Sequence, residues 1–333
     1  MRVIDTERFS RALRKKAVDL MSRKVLIARY DGAQQLEDLT LAPNCQGWGR
    51  IHHFRRWVDD HWPANPLPID PALLWLGMER SDALEVQLFQ IAVCSWRCWY
   101  CYVDFELLSA SRSHADFKTV DDLIDLYLAE SDRPPIIDLS GGQPDLVPEW
   151  TLWFADGLVR RGLETKVYLW SDDNLSNDYL WRYLSAGEVE RLASYRNYGR
   201  VGCFKGFDEQ SFTFNTTADP GLFRLQFELM RRIVRAGFDV YGYATFTSDD
   251  GGAVARRMCD FVDRLQEAVH PLFPLRTVPL RIRPFTPTVS RMRAEHARAL
   301  EIQNEAVAAW SEELQRRFPP TIRERRIYEN RLE

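Results

Sequence analysis

From residue 84 to residue 283 strand-like and helix-like patterns take turns, and this alternation limits the possible folds more than any other feature of the chain. Leu84-Glu85-Val86-Gln87-Leu88 alternates apolar and polar residues at period two, and Phe89-Gln90-Ile91 continues it less regularly. Thr119-Val120-Asp121-Asp122 has the form of a capping box with Asp in place of Glu, after which Val120, Leu123, Ile124 and Tyr127 share one helix face. Ile136–Leu139 reads as a second strand, 147–161 as a helix, Lys166–Trp170 as a third strand and Arg200–Lys205 as a fourth. A helix over 221–236 leads to a fifth strand, Asp239–Phe246, and a helix over 253–268 to a sixth, Leu280–Arg283. Strands separated by helices imply parallel βαβ units. Six of them make an α/β fold, an open or partial barrel, whose ligands gather at the carboxyl ends of the strands.

The 333 residues suffice for such a domain with extensions on either side. Residues 1–78 form the first extension, 79–290 the partial barrel and 291–333 a helical C-terminal extension. In the first, Phe9, Leu13, Ala17 and Leu20 recur at helical spacing, and Val25-Leu26-Ile27-Ala28 is a short apolar run. Asn44–Arg56 shows neither helical nor strand period, and the prolines of Trp62–Pro71 read as a linker. Long irregular segments in compact proteins are usually functional or disordered, and this one is too aromatic for disorder. It is a candidate substrate lid in which Arg50, Arg55 or Arg56 meets an anionic group. The alternative is an extension packed on the barrel wall with its arginines solvated.

Apolar residues make up 45% of the chain and charged residues 28%, the mixture of an ordinary globular protein. No segment approaches the ~20 uninterrupted apolar residues of a membrane span, and the N-terminal residues lack the apolar stretch of a secretory signal. The expected location is the cytoplasm. A net charge of −4 does not suggest a nucleic-acid partner. Residues 1–58 nevertheless hold twelve Lys and Arg against six Asp and Glu. Arg8, Arg11, Arg14, Lys15 and Lys16 read as a solvated helix face, or as a surface for an anionic substrate or partner.

Three of the six cysteines fall within eight residues, Cys94-Ser95-Trp96-Arg97-Cys98-Trp99-Tyr100-Cys101, a C-x3-C-x2-C spacing. In a reducing compartment such a cluster reads as metal-binding or catalytic rather than as disulfides. Iron–sulfur clusters are held by thiolates, usually four. Three close thiolates leave one corner of a cubane open, and an open position marks a catalytic metal site. A zinc site completed by a distant Cys or His, such as His114, is the alternative, although no second ligand pair accompanies the cluster.

The cysteine loop, following the first strand and carrying Tyr100 at its aromatic position, resembles the CxxxCxΦC signature of the radical S-adenosylmethionine (SAM) superfamily. Ser140-Gly141-Gly142-Gln143-Pro144 is similar to the superfamily's second-strand GGE motif, with Gln143 in place of Glu, and residues 82–285 follow its order of strands. The resemblance implies a partial barrel whose Cys94, Cys98 and Cys101 hold a [4Fe–4S] cluster. Tyr100 would lie near the adenine of SAM and the backbone at Gly141 and Gly142 near its amino group. Reductive cleavage of SAM would then yield a 5′-deoxyadenosyl radical that abstracts hydrogen from a substrate. Ser171, Asp173 and Lys205 are candidates for ribose or carboxylate contacts, with helix capping and loop solvation as the alternative for the first two. Thr245 and Arg283, at the ends of the fifth and sixth strands, complete the candidate cofactor contacts. Cys203 shares a strand face with Lys205 and is either a hydrogen-atom donor or a small buried hydrophobe.

The electron donor implied is reduced ferredoxin or flavodoxin, and the substrate a small molecule, nucleotide or peptide. Val201–Asp208 is similar to the fourth-strand segment of a poorly characterised activase-like branch, which would act on a partner protein's glycine. A non-catalytic iron–sulfur or zinc protein would leave the glycine motif and the polar strand ends without a purpose. No second cysteine cluster follows residue 285, so peptide maturases with auxiliary clusters are a poor match.

Overall fold

The computed structural model describes residues 3–59 and 62–332. Its strands are β1 (Val18–Asp19), β2 (Lys24–Ala28), β3 (Gly49–Arg55), β4 (Ala83–Phe89), β5 (Ala115–Thr119), β6 (Ile136–Leu139), β7 (Tyr168–Asp173), β8 (Tyr198–Phe204), β9 (Val240–Thr245) and β10 (Thr277–Leu280). The helices used below are α1 (Thr6–Ala17), α2 (Ile69–Leu76), α3 (Val120–Ala129) and α4 (Pro148–Arg160). After them come α5 (Tyr179–Tyr183), α6 (Ala186–Ser194), α7 (Glu209–Thr216), α8 (Leu222–Arg235), α9 (Val254–Arg264), α10 (Thr286–Val289) and α11 (Ala294–Arg317).

Seven strands form one sheet in the order β10-β9-β8-β7-β6-β4-β3. Every pairing from β4 to β10 is parallel, and each strand lies beside its predecessor in that series. This is the open (β/α)6 partial barrel expected of the alternating pattern. β6 is buried along its whole length, as parallel strands covered on both faces are. The capping box at Thr119 and Asp122 starts α3 as expected, and Val120, Leu123, Ile124 and Tyr127 are buried. β2 pairs with β1 and β5 in a small antiparallel sheet. Among the described residues no helix is long and apolar enough to cross a membrane.

Five expectations need correction. α1 ends at Ala17, and Leu20 is 54% exposed in a turn where the Asp19 carboxylate accepts from the backbone N–H of Met21 and Ser22. Asn44–Arg56 is not irregular throughout, because Gly49–Arg55 is β3, antiparallel to β4 from Gly49 opposite Phe89 to Arg55 opposite Ala83. Its period is hidden because its interior-facing positions include Arg50 and His52, so no apolar alternation shows. The proline-rich stretch is not a free linker: Trp62, Leu67 and Ile69 are buried. β7 runs on to Asp173 rather than stopping at Trp170. The sixth strand is Thr277–Leu280, so Arg283 lies three residues beyond it.

The concave face of the sheet has its own apolar cluster, with Leu84, Val86, Ile136, Tyr168, Trp170, Val201, Tyr241 and Val278 packed against Leu67, Ile69, Ala72 and Leu73. α2 therefore stops the amino-terminal end of the half-barrel. That core and the sheet both cross the boundary placed near residue 78, and the extension is built into the barrel rather than appended. At the carboxyl end the interior positions change character. Asp138 and Ser140 follow Ile136, Asp172 follows Trp170, Cys203 and Lys205 follow Val201, and Thr245 follows Tyr243, each at period two.

Candidate active site

The loop after β4 brings Cys94, Cys98 and Cys101 to this polar end. Cys94 and Cys98 are buried and Cys101 half-buried. The loop is braced from every side. Arg97 Nη1 donates to the carbonyls of Cys94, at 2.5 Å, and Trp96, at 2.8 Å. Trp96 Nε1 donates to Thr6 Oγ1 of α1. Trp99 Nε1 donates to Asn215 Oδ1, which also accepts from Thr247 Oγ1, while Asn215 Nδ2 donates to the carbonyls of Lys205 and Thr247. Asn215 thus ties the loop to the ends of β8 and β9 with its hydrogen-bonding capacity filled. The C-terminal extension adds the last clamp. Arg291 donates to the carbonyls of Cys101, at 2.7 Å, and Val103, at 2.9 Å, and His296 stacks on Trp99 with planes 3° apart.

Burial pushes the thiol of Cys94 up to about 12 and that of Cys98 up to about 11, and raises Cys101 too. Lys205 pulls Cys98 and Cys101 back towards the thiolate. Three sulfur donors with a cation beside them fit a bound iron–sulfur cluster, whose metal charge would drive their deprotonation. Among the described residues, no three His, Cys, Asp or Glu converge so as to hold a single metal ion. His114 Nε2 faces Glu106, 3.4 Å away.

The glycine motif serves the cysteine loop directly. Gly142 has φ of +71°, and a Cβ there would stand 2.1 Å from the carbonyl oxygen of Ile91. Its conformational freedom lets the backbone pack against the segment leading into Cys94. Gly141, with φ of +74°, lies against the side chain of Gln90. Gln143 is fully buried, and its Oε1 accepts from both the N–H and the Oγ of Ser95 at 2.8 Å. Its Nε2 donates to Asp145 and Ser176. The Gln143 side chain therefore fixes the first turn of the loop. Gln suits the position because its amide supplies the donor that Asp145 needs. Pro144 begins the short turn that follows, and Ser140 Oγ donates to Asp138 Oδ2 at 2.8 Å.

Alternation along β7 separates the serine–aspartate candidates. Ser171 Oγ shares a hydrogen bond with Tyr198, and Asp173 is ion-paired with Arg200 while accepting from the N–H of Leu175. Both have structural partners on the face of the sheet opposite to Trp170 and Asp172. Arg283 is half-exposed, donates to the carbonyl of Val58 and stands 3.7 Å from Asp59. Structure brings together a different set: Tyr100, whose hydroxyl lies 3.2 Å from Thr245 Oγ1, with Lys205, Cys203 and Asp172. Burial lifts Asp172 to about 7 against the pull of Lys205. Burial alone would lower the Lys205 ammonium, but Cys203, Tyr100, Cys98 and Asp172 together hold it well above its ordinary value. Burial raises the Cys203 thiol to about 12 against the pull of Lys205.

A second polar group lies across the end of β4. Arg50 is opposite Leu88, which is itself opposite Asp138, so the register puts Arg50 and Asp138 on one face. The guanidinium of Arg50 is 5.5 Å from the centre of the Tyr102 ring, and Nη1 donates to Nδ1 of His52 at 3.2 Å. Burial pushes His52 down to about 3, leaving that nitrogen free to accept. Arg55 and Arg56 are at the other end of β3, and Arg56 pairs with Asp70 and Asp82. Asp138, Asp172, Asn215 and the role of Gln143 escape a reading of the sequence. The two aspartates were within reach, since each stands two residues past an apolar interior position.

No protein-family model matches the chain, and no curated protein matches it. Among solved structures, it is similar to SuiB of Streptococcus suis bound to S-adenosylmethionine. The identity is 15% and the TM-score 0.45, over 67% of this chain and 46% of that one. SuiB bound to the precursor peptide SuiA matches with 15% identity and a TM-score of 0.38, over 54% of this chain and 36% of that one. A spore photoproduct lyase mutant with bound AdoMet and dinucleoside spore photoproduct matches with 11% identity and a TM-score of 0.43, over 68% of this chain and 72% of that one. The chain spans less than half the length of SuiB in these matches.

Proposed function

We propose that this chain is a radical SAM enzyme in which Cys94, Cys98 and Cys101 hold a [4Fe–4S] cluster and the polar end of the half-barrel binds SAM. The observation that carries the reading is the meeting of three thiols, two buried and one half-buried, with a half-buried lysine and a ring of polar strand ends at one place. When bound, the cluster and SAM supply an electron and a 5′-deoxyadenosyl radical. The chain's own work is holding and exclusion. Gln143, Asn215 and Arg291 fix the cysteine loop from three directions. Trp99 and His296 cover it against water. Tyr100 and Thr245 offer a polar edge for a nucleoside, and Lys205 sets a positive charge beside the thiolates and any carboxylate bound near them. The electron would come from reduced ferredoxin or flavodoxin. We place the substrate among small molecules, nucleotides or peptides, because the interior groups are deeply buried. An activase role rests on the segment 201–208 alone.

Anaerobic reconstitution should load about four irons and four sulfides per chain, as one cubane requires. Replacing Cys94, Cys98 or Cys101 with Ala should abolish loading, while Cys45→Ala and Cys259→Ala should not. Dithionite-reduced enzyme should convert SAM to 5′-deoxyadenosine and methionine. Stoichiometric zinc with no uptake of iron would overturn the proposal.

A further inference from the structure

Arg50 is 4% exposed, yet Nε and Nη2 have no hydrogen-bond partner among the described residues. These two nitrogens carry the parallel N–H pair with which a guanidinium grips a planar oxyanion side-on. The remaining nitrogen is occupied by His52, so the free pair is held in a set direction. Unsatisfied atoms cluster around it. Asp138 Oδ1 and both polar atoms of Gln90 are buried without partners, and the buried hydroxyl of Tyr30 has the Arg50 guanidinium itself as its polar neighbour. A buried guanidinium left unpaired costs several kcal/mol by itself, so a site of this kind is built for a ligand.

We propose that Arg50 is the receptor for a carboxylate on the enzyme's own substrate. The assignment to substrate rather than to SAM rests on the radical SAM reading. Arg97 and Arg291 are tied to carbonyls of the cysteine loop. Of the other cations at this end of the barrel, two matter among the described residues, and they belong to different neighbourhoods. Lys205 stands with Tyr100, Cys98 and Cys203, whereas Arg50 stands with Tyr102, Tyr30 and Asp138. SAM carries a single carboxylate, which the lysine beside the cysteine loop is placed to meet. The arginine is then left for a second anion. One guanidinium balances one negative charge. The neighbouring Asp138 is held well above its ordinary pKa by burial and by Asp172, so it brings no second negative charge and leaves the guanidinium's single positive charge to the ligand. A singly charged carboxylate matches this balance, and a phosphate would bring an unpaired buried charge.

The test uses the full chain, reconstituted anaerobically, with 13C-acetate and inorganic phosphate as probes followed by NMR at fixed ionic strength. Wild type should bind acetate saturably and more tightly than phosphate, with or without SAM. Arg50→Gln should weaken acetate at least tenfold while SAM affinity, measured on the same samples, changes less than twofold. Arg50→Lys keeps stem and charge, and should still weaken acetate about threefold, because an ammonium lacks the parallel pair. Absence of saturable acetate binding, tighter phosphate binding or an unchanged Arg50→Lys would overturn the receptor. Displacement of acetate by SAM, with SAM affinity falling in Arg50→Gln, would assign the fork to SAM instead. The acetate measurement needs neither iron nor SAM. Arg50-dependent acetate binding by a chain that takes up no cluster would therefore overturn the radical SAM reading and leave the receptor standing.

Discussion

At Gln143 a single side chain joins the glycine motif to the cysteine loop, and its chemistry can be tested by one atom's exchange. Gln143→Glu removes the donor 2.9 Å from Asp145 and sets two carboxyl groups together in a buried place. The cost should be about 1–3 kcal/mol, the scale of an unsatisfied buried polar group, and larger at pH 8 than at pH 5, as measured by urea unfolding. Wild type should already show part of this dependence. Burial raises Asp145 to about 6 and Asp172 to about 7, from an ordinary 3.8. The native state then binds more protons than the unfolded chain between about pH 4 and pH 7, so stability falls as pH rises through that window. Asp172→Asn should flatten the slope, and an unchanged slope would show that Asp172 titrates normally. Gly142→Ala tests the neighbouring contact. Its Cβ would collide with the Ile91 carbonyl, and the left-handed backbone alone costs about 1–2 kcal/mol for any other residue. The variant should lose iron along with stability, whereas normal iron loading would show that the loop does not depend on that packing.

At the scale of elements, the C-terminal extension serves the cysteine end of the barrel and the N-terminal one serves both ends. The segment from α10 to α11 grips the cysteine loop through Arg291 and His296. Arg291→Ala, which leaves α11 and its apolar contacts in place, should release iron to a chelator roughly tenfold faster, as expected for losing about 1.5–3 kcal/mol of charge-assisted bonding. Equal release rates would show that the clamp is ornamental. At the other end, Arg56 joins the close of β3 to α2 through Asp70, which is 13% exposed. Arg56→Ala leaves that carboxylate buried and unpaired, and should cost about 3 kcal/mol of unfolding free energy. SAM affinity should not change, because Arg56 lies at the far end of the strand from the cysteine loop. The same reasoning separates Arg50 from Arg55 and Arg56: three arginines close in sequence are carried by one strand to opposite ends of the half-barrel.

Over the whole molecule, the order of six parallel strands, the cysteine loop after the first of them and the capping of α3 were legible in the sequence, because period, spacing and capping chemistry are local properties. Three thiols within eight residues can be gathered by a single loop whatever surrounds it. The placement of β3, the burial of the proline-rich segment and the partners of Ser171, Asp173 and Gln143 were not legible. Each depends on which residue stands opposite on a neighbouring strand, and a strand's register follows from the packing of both its faces. Because β7 runs three residues further than its apolar pattern, alternation continues from Trp170 and sets Asp172 inward and Asp173 outward. The sequence by itself determined the class of fold and the thiol set, both written in short-range patterns. Only the tertiary structure decided which polar groups share the buried end of the barrel, because contacts between residues 50, 102 and 138 exist only once distant strands have paired.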